Sequence, residues 1–291
     1  MNPDLTAMFD KVVAAMKADP RCKGGWHFGS ARRGETDEWS DYDSVFLVSN
    51  DHFEPFAADI PKVLAASCDE LLIHWPENYN SGCFKTFCSI VRLGETLHQF
   101  DSFVLNADRP DDWMCRIHCK GCGEGHIIFD RTGETAAFLR MGYTVENHIP
   151  DTLRAIDTYW FHIQMLVKYF KRKDVFKLVK NMYDFVFRAH VDLLLSRYDT
   201  LDWGGWEPKI KRCVPEETQR HLLVYFAPAD FASLQAAAGS GMALFERDAK
   251  EICAAKGLIY PENTARQVTA YFDRMLQDES WLKRNAKDGK D

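Results

Sequence analysis

The chain has 291 residues, 46% of them hydrophobic and 27% charged, and carries a formal net charge of −7. That length holds two domains or one large one, and the composition is that of an ordinary soluble globular protein. The negative charge argues against the basic face that nonspecific nucleic-acid binding requires, and no apolar run approaches the length of a membrane span.

Apolar residues at Leu5, Met8, Phe9, Val12, Val13 and Met16 recur at helical spacing and predict a helix over 4–17. Pro20 and the pair Gly24-Gly25 end it and lead into a strand around Trp26–Phe28. A second strand is predicted over 43–49, a helix over 60–70 and a strand at Glu70–His74. The segment Cys83–Leu93 is expected to pair with Thr96–Leu105 through the turn at Gly94-Glu95. After Pro150 the pattern changes to long amphipathic helices over 151–171 and 174–197, with further helical stretches over 215–227, 228–255 and 262–278. Thr200–Pro208 reads as the main loop among them, and a frayed tail begins near Arg284. The fold class expected is therefore an α/β (α+β) domain with a mixed sheet over 1–145, followed by an all-α helical bundle over 146–291.

The chemistry concentrates in residues 26–48. Gly29-Ser30 ends an apolar approach, a polar turn follows, and Asp41 and Asp43 open a β-branched, aromatic strand. Residues two apart in a strand project from the same face, so the two carboxylates stand together. Adjacent carboxylates repel unless a cation sits between them, and hard oxygen ligands of this kind suit Mg²⁺ with substrate phosphates. A Gly-Ser turn offers a phosphate close backbone approach, N–H donors and a hydroxyl. Asp101, within the apolar strand Leu97–Leu105, is a third carboxylate, placed either to join the metal shell or to accept a proton.

This pattern of Gly-Ser, Asp-x-Asp on a strand and a lone Asp on a later strand resembles the nucleotidyltransferase superfamily that includes DNA polymerase β and the antibiotic nucleotidyltransferases. Within it the chain looks most like the aminoglycoside (streptomycin) 6-adenylyltransferases, on Ser40–Asp43, the strand Phe100–Leu105, the helix Leu166–Asp174 and the late Ile259–Glu262. The resemblance implies a Mg²⁺-dependent transfer of AMP from ATP to a hydroxyl of a small cationic acceptor, with release of pyrophosphate. In that reading one or two Mg²⁺ ions sit on Asp41, Asp43 and Asp101, Asp101 is ligand, general base or both, and Gly29 and Ser30 hold the β- and γ-phosphates. A lincosamide or another small hydroxylated molecule is the alternative acceptor. A nucleotide-binding regulator without turnover is the alternative of another class, and protein nucleotidylation is a third.

Lys168, Lys171 and Arg172 share a helical face and continue into Lys173, Lys177 and Lys180. Most of this basic edge reads as a solvated surface, with Lys168 as the candidate to reach the triphosphate. Cys115, His118, Cys119, Cys122 and His126 carry zinc-type ligands, but their spacing matches no common zinc module, and the expectation is a loop of reduced thiols. Glu95, Asp108, Asp157, Trp160 and Tyr183 are possible acceptor-wall residues. Nine cysteines and an N-terminus without a basic and apolar leader pattern predict a cytoplasmic protein.

Overall fold

The computed structural model describes residues 1–199 and 205–277; the predicted loop residues 200–204 and the tail from Arg284 lie outside the described residues. The chain divides into two compact units, Met1–Glu146 and Asn147–Asp291.

In the first unit, α1 (Pro3–Ala18) starts where the Asn2 side chain accepts from the Asp4 and Leu5 N–H groups, with Pro3 already holding the φ a helix needs. It is followed by β1 (Cys22–His27), the short α2 (Gly29–Arg33), β2 (Tyr42–Val48), α3 (Asn50–Ser67), β3 (Glu70–Pro76), β4 (Phe84–Leu93), β5 (Thr96–Asn106), α4 (Trp113–Cys119), β6 (Ile127–Asp130) and α5 (Glu134–Arg140). The strands form one six-stranded sheet in the order β3-β4-β5-β2-β1-β6. Only β2 and β5 run parallel; every other pair is antiparallel.

Both faces of the sheet's centre are covered. Leu5, Met8, Phe9, Val12 and Met16 of α1 and Phe53, Phe56, Ile60 and Leu64 of α3 pack on Phe46, Val48, Phe100 and Val104. On the other face Cys115 and Cys119 of α4 and Phe138 and Leu139 of α5 pack on Trp26, Val45, Leu47 and Phe103. Burial on two sides is why β2 reads as a continuous apolar run instead of an alternating one.

Several elements differ from the sequence expectation. The first strand begins at Cys22, because Gly24 and Gly25 are not a turn but a place where neighbouring chain approaches closely. A Cβ on Gly24 would stand 2.0 Å from Thr135 Oγ1 and 2.7 Å from the Phe129 carbonyl, and one on Gly25 would stand 2.8 Å from the Val45 carbonyl. The helix expected over 60–70 begins ten residues earlier and tolerates Pro55 and Pro61, since its apolar face is held by the sheet. Cys115 and Cys119 lie on a helix, not in a loop.

The second unit is helical: α6 (Thr152–Lys171), α7 (Val175–Asn181), α8 (Arg188–Leu195), α9 (Trp206–Cys213), α10 (Glu216–Leu222), α11 (Phe231–Lys256) and α12 (Glu262–Gln277). The stretch 174–197, read as one helix, is interrupted by π-helical turns at Met182–Phe187, and α9 occupies the later part of the expected loop. The core gathers Ile156, Tyr159, Trp160, Ile163, Leu166, Val167 and Phe170 of α6 with residues of α8, α11 and α12. A polar chain runs through it. The Tyr159 and Tyr225 hydroxyls lie 3.1 Å apart, His190 Nδ1 is 2.8 Å from the Tyr225 hydroxyl, and His190 Nε2 is 2.9 Å from Asp248. Burial lowers the His190 pKa and works to raise that of Asp248, yet hydrogen bonds from His190 and Arg247 hold the Asp248 carboxyl below its usual range. An ionised Asp248 accepts from His190 Nε2. No helix of the described residues is long and apolar enough to cross a membrane.

The β1 contacts give a stability test. Gly24→Ala should cost about 1–3 kcal/mol, because the methyl meets a backbone carbonyl that cannot move cheaply. Gly82→Ala, whose methyl meets nothing within 4 Å, should change stability by less than about 0.5 kcal/mol. Urea midpoints of the two variants against wild type check the difference.

Candidate active site

The parallel pairing of β2 with β5 sets Asp43 directly opposite Asp101. Asp41, two residues before Asp43, joins them, and one carboxylate oxygen from each of the three lies within 4.8 Å of the others. Among the described residues this is the one group of acidic, His or Cys side chains whose ligand atoms converge in that way.

The carboxylates raise one another's cost. Burial pushes Asp43 up to about 7, helped by the charges of Asp41 and Asp101 and opposed by Arg33. Burial also pushes Asp101 up to about 6, against the pull of the Gln99 amide and with the Asp41 charge adding to the rise. Asp41 is raised by burial as well. Gln99 Nε2 donates to Asp101 Oδ2 at 2.9 Å, while the buried Oδ1 has no hydrogen-bond partner. Three desolvated acids and an orphaned carboxylate oxygen are what a divalent cation would satisfy, so the residues present fit Mg²⁺.

Gly29 abuts this group. The Phe28 N–H donates to the Asp43 carbonyl at 3.0 Å, which ties the end of β1 to β2. Gly29 then takes φ +56°, and a Cβ there would stand 1.7 Å from Asp43 Oδ2. Only glycine fits, for its positive φ and for the space. The expected Gly29-Ser30 turn is instead the start of the five-residue α2, and the buried Ser30 hydroxyl has no hydrogen-bond partner. Arg32 on the same helix donates from Nη1 to the Lys120 carbonyl at 2.7 Å, and Arg33 pairs with Glu35 at 2.6 Å.

Of the predicted site residues, the structure brings together Gly29, Ser30, Asp41, Asp43 and Asp101. Lys168 belongs to the second unit, in the last turn of α6, its Nζ 5.2 Å from the Tyr169 ring. Two members of its basic edge are neutralised locally, Lys177 by Asp174 and Lys180 by Asp184. The wall residues scatter. Trp160 is 1% exposed and is core, so it is corrected from a candidate wall to packing. Tyr183 packs edge-on against Phe187 and Phe226, and Asp108 accepts from the Asn50 N–H at the start of α3. The cysteines point inward: Cys115 Sγ donates to the Cys83 carbonyl at 3.3 Å, and burial raises the thiol pKa of Cys115 to about 12 and of Cys122 to about 11. His118 is wedged among Phe28, Phe84 and Phe103. The sequence reading misses Gln99, whose only signal is its place two residues before Asp101 on the same strand face.

Residues 151–275 match the family model described as streptomycin adenylyltransferase. The helical unit is thus similar to the streptomycin adenylyltransferase family. The match lies within the helical unit, so the carboxylate group of the first unit is an observation separate from it. Among solved structures the chain is similar to an aminoglycoside 6-adenyltransferase from Bacillus subtilis, at 12% identity over 95% of this chain and 99% of that one, TM-score 0.44. It is also similar to a nucleotidyltransferase-like protein from Exiguobacterium sibiricum, at 12% identity over 85% and 77%, TM-score 0.31. No curated protein matches the chain.

The raised carboxyls make a pH-dependent prediction. Their folded-state pKa values lie above those of an unfolded chain, so the folded form holds protons that the unfolded form has released. Stability contributed by these protons is present below the ordinary value of 3.8 and is lost as pH rises through about 7 for Asp43 and about 6 for Asp101. A divalent cation held by these carboxylates would replace the protons. Magnesium chloride should therefore raise the melting temperature at about pH 8 and do so far less at about pH 5; equal shifts in a thermal scan at the two pH values would place the ion elsewhere.

Proposed function

We propose that this enzyme transfers AMP from ATP to a hydroxyl of an aminoglycoside of the streptomycin kind and releases pyrophosphate. The convergence of Asp41, Asp43 and Asp101 beside Gly29 and Ser30 carries the reading, and the family match of the helical unit supplies the adenylyl group and the acceptor class.

The acceptor hydroxyl oxygen attacks the α-phosphorus in line. A new O–P bond forms, the bond from that phosphorus to the bridging oxygen breaks, and pyrophosphate leaves with the electron pair. Asp101 takes the hydroxyl proton on Oδ1, the oxygen without a hydrogen-bond partner, while Gln99 keeps the carboxylate oriented through Oδ2. Asp41 and Asp43, bordered by Asp101, would hold Mg²⁺, which supplies neutralisation of the polyphosphate charge when bound. The Ser30 hydroxyl and the bare Cα of Gly29 leave room and a donor for phosphate oxygens, with the Arg33 charge nearby. Positioning and electrostatics carry most of the acceleration in such a reaction.

Pyrophosphate release from ATP and GTP with Mg²⁺, against streptomycin, other aminoglycosides and lincomycin, tests the proposal. ATP with streptomycin should be turned over. Asp41→Asn or Asp43→Asn should lower kcat by about a thousandfold or more, and Asp101→Asn by about a hundredfold to ten-thousandfold, with circular dichroism unchanged. Turnover of lincomycin alone would replace the acceptor. ATP binding with no acceptor turned over would make the chain a regulator. A folded, active Asp41→Asn/Asp43→Asn double variant would remove the metal site.

A further inference from the structure

The geometry points to the cavity beside Asp41 as the acceptor subsite, shaped for a cationic, polyhydroxylated small molecule; this inference rests on the transfer reaction proposed above. The cavity has a volume of about 540 Å³ and is walled by the N-terminus of α1, the segment entering β2 and the start of β5, all within the first unit. Sites for small molecules span roughly 300–1,000 Å³.

Three observations favour the acceptor over the nucleotide as its occupant. The first is connectivity to the chemistry. Gln99 lines the cavity and donates to Asp101 Oδ2 at 2.9 Å, so a molecule resting on Gln99 is one side chain away from the group that takes the proton. The second is charge. Glu38 and Asp41 line the cavity, and no lysine or arginine stands among the described residues that do. Asp41 is committed to the metal in the proposed reaction, which leaves the Glu38 carboxylate, with no basic side chain opposing it in the lining, to attract a cation there. The arginine whose charge reaches Asp43 is Arg33, outside this lining.

The third is Trp39. Its indole is 87% exposed, yet the turn that carries it is fixed. The Trp39 N–H and the Ser40 hydroxyl both donate to Asp37 Oδ1 at 2.9 Å, and the Asp37 N–H donates to Ser40 Oγ at 2.9 Å. A large aromatic face held out to solvent on a preorganised turn loses little entropy when a ligand covers it. Such a face suits a guanidinium or ammonium group, and the half-exposed Leu97 adds apolar surface to the same lining.

Isothermal titration calorimetry on the full chain, with streptomycin as the probe, reads the subsite without turnover. Wild type should bind streptomycin, and Trp39→Ala and Glu38→Gln should each weaken binding about tenfold while ATP affinity moves less than about twofold. Trp39→Phe, which keeps an aromatic face, should recover most of the loss. Both side chains are exposed, so the variants keep the fold. Unchanged streptomycin binding in both variants overturns the inference, as does its absence in wild type or an equal loss of ATP affinity. Pyrophosphate release separates the two claims. Streptomycin binding that depends on Trp39 without turnover defeats the transfer reaction and upholds the subsite. Turnover indifferent to both residues upholds the transfer and defeats the subsite.

Discussion

Three carboxylates held together in a desolvated place are the constraint around which the first unit is arranged. Each would be more stable in water, and together they repel. They stay because two strands that run parallel and lie side by side force Asp43 and Asp101 into register. Those strands are fixed by apolar side chains on both faces of the sheet, with α1 and α3 below and α4 and α5 above. The core does not merely stabilise the site; it supplies the rigidity that prevents the acids from relaxing apart.

The same constraint explains the glycine. With Asp43 buried against the end of β1, the chain leaving that strand has to pass within van der Waals contact of a carboxylate oxygen, and at φ +56° only Gly29 does so. Ser30 follows in the five-residue α2, and its buried hydroxyl is left without a hydrogen-bond partner one residue from the glycine that abuts Asp43. An unpaired buried hydroxyl and an unpaired carboxylate oxygen in the unit that holds a like-charge cluster are groups that a ligand would resolve.

Much of this was legible in the chain because strand alternation is a short-range rule. Asp41 and Asp43 two apart at the opening of a strand, and Asp101 in an apolar run, single out the three acids, while the parallel register that sets Asp43 opposite Asp101 comes from the fold. What escaped depends on tertiary packing. Gly24 and Gly25 read as a turn when local propensity is considered, but their lack of a Cβ serves close strand approach. Pro55 and Pro61 argue against a helix that packing nevertheless maintains. Trp160 offers no local sign of whether an aromatic residue on a helix faces a core or a ligand, and here it faces the core. Gln99 is silent for another reason, since an amide gains its meaning only from the carboxylate it touches.

The distribution of charge around the acids gives the site direction. Arg32 and Arg33 follow Gly29 and Ser30 on α2, and the Arg33 charge is felt at Asp43. The cavity beside Asp41 carries Glu38 and no basic residue among the described residues that line it. A chain of net charge −7 would need local cations to receive a polyphosphate, and the two arginines of α2, Arg33 in a pair with Glu35, lie directly after Gly29 and Ser30. It needs none to receive a cationic acceptor. In the proposed reaction, two substrates of opposite charge would be sorted by field before any hydrogen bond is made, and the acids would be where a hydroxyl of one meets a phosphorus of the other.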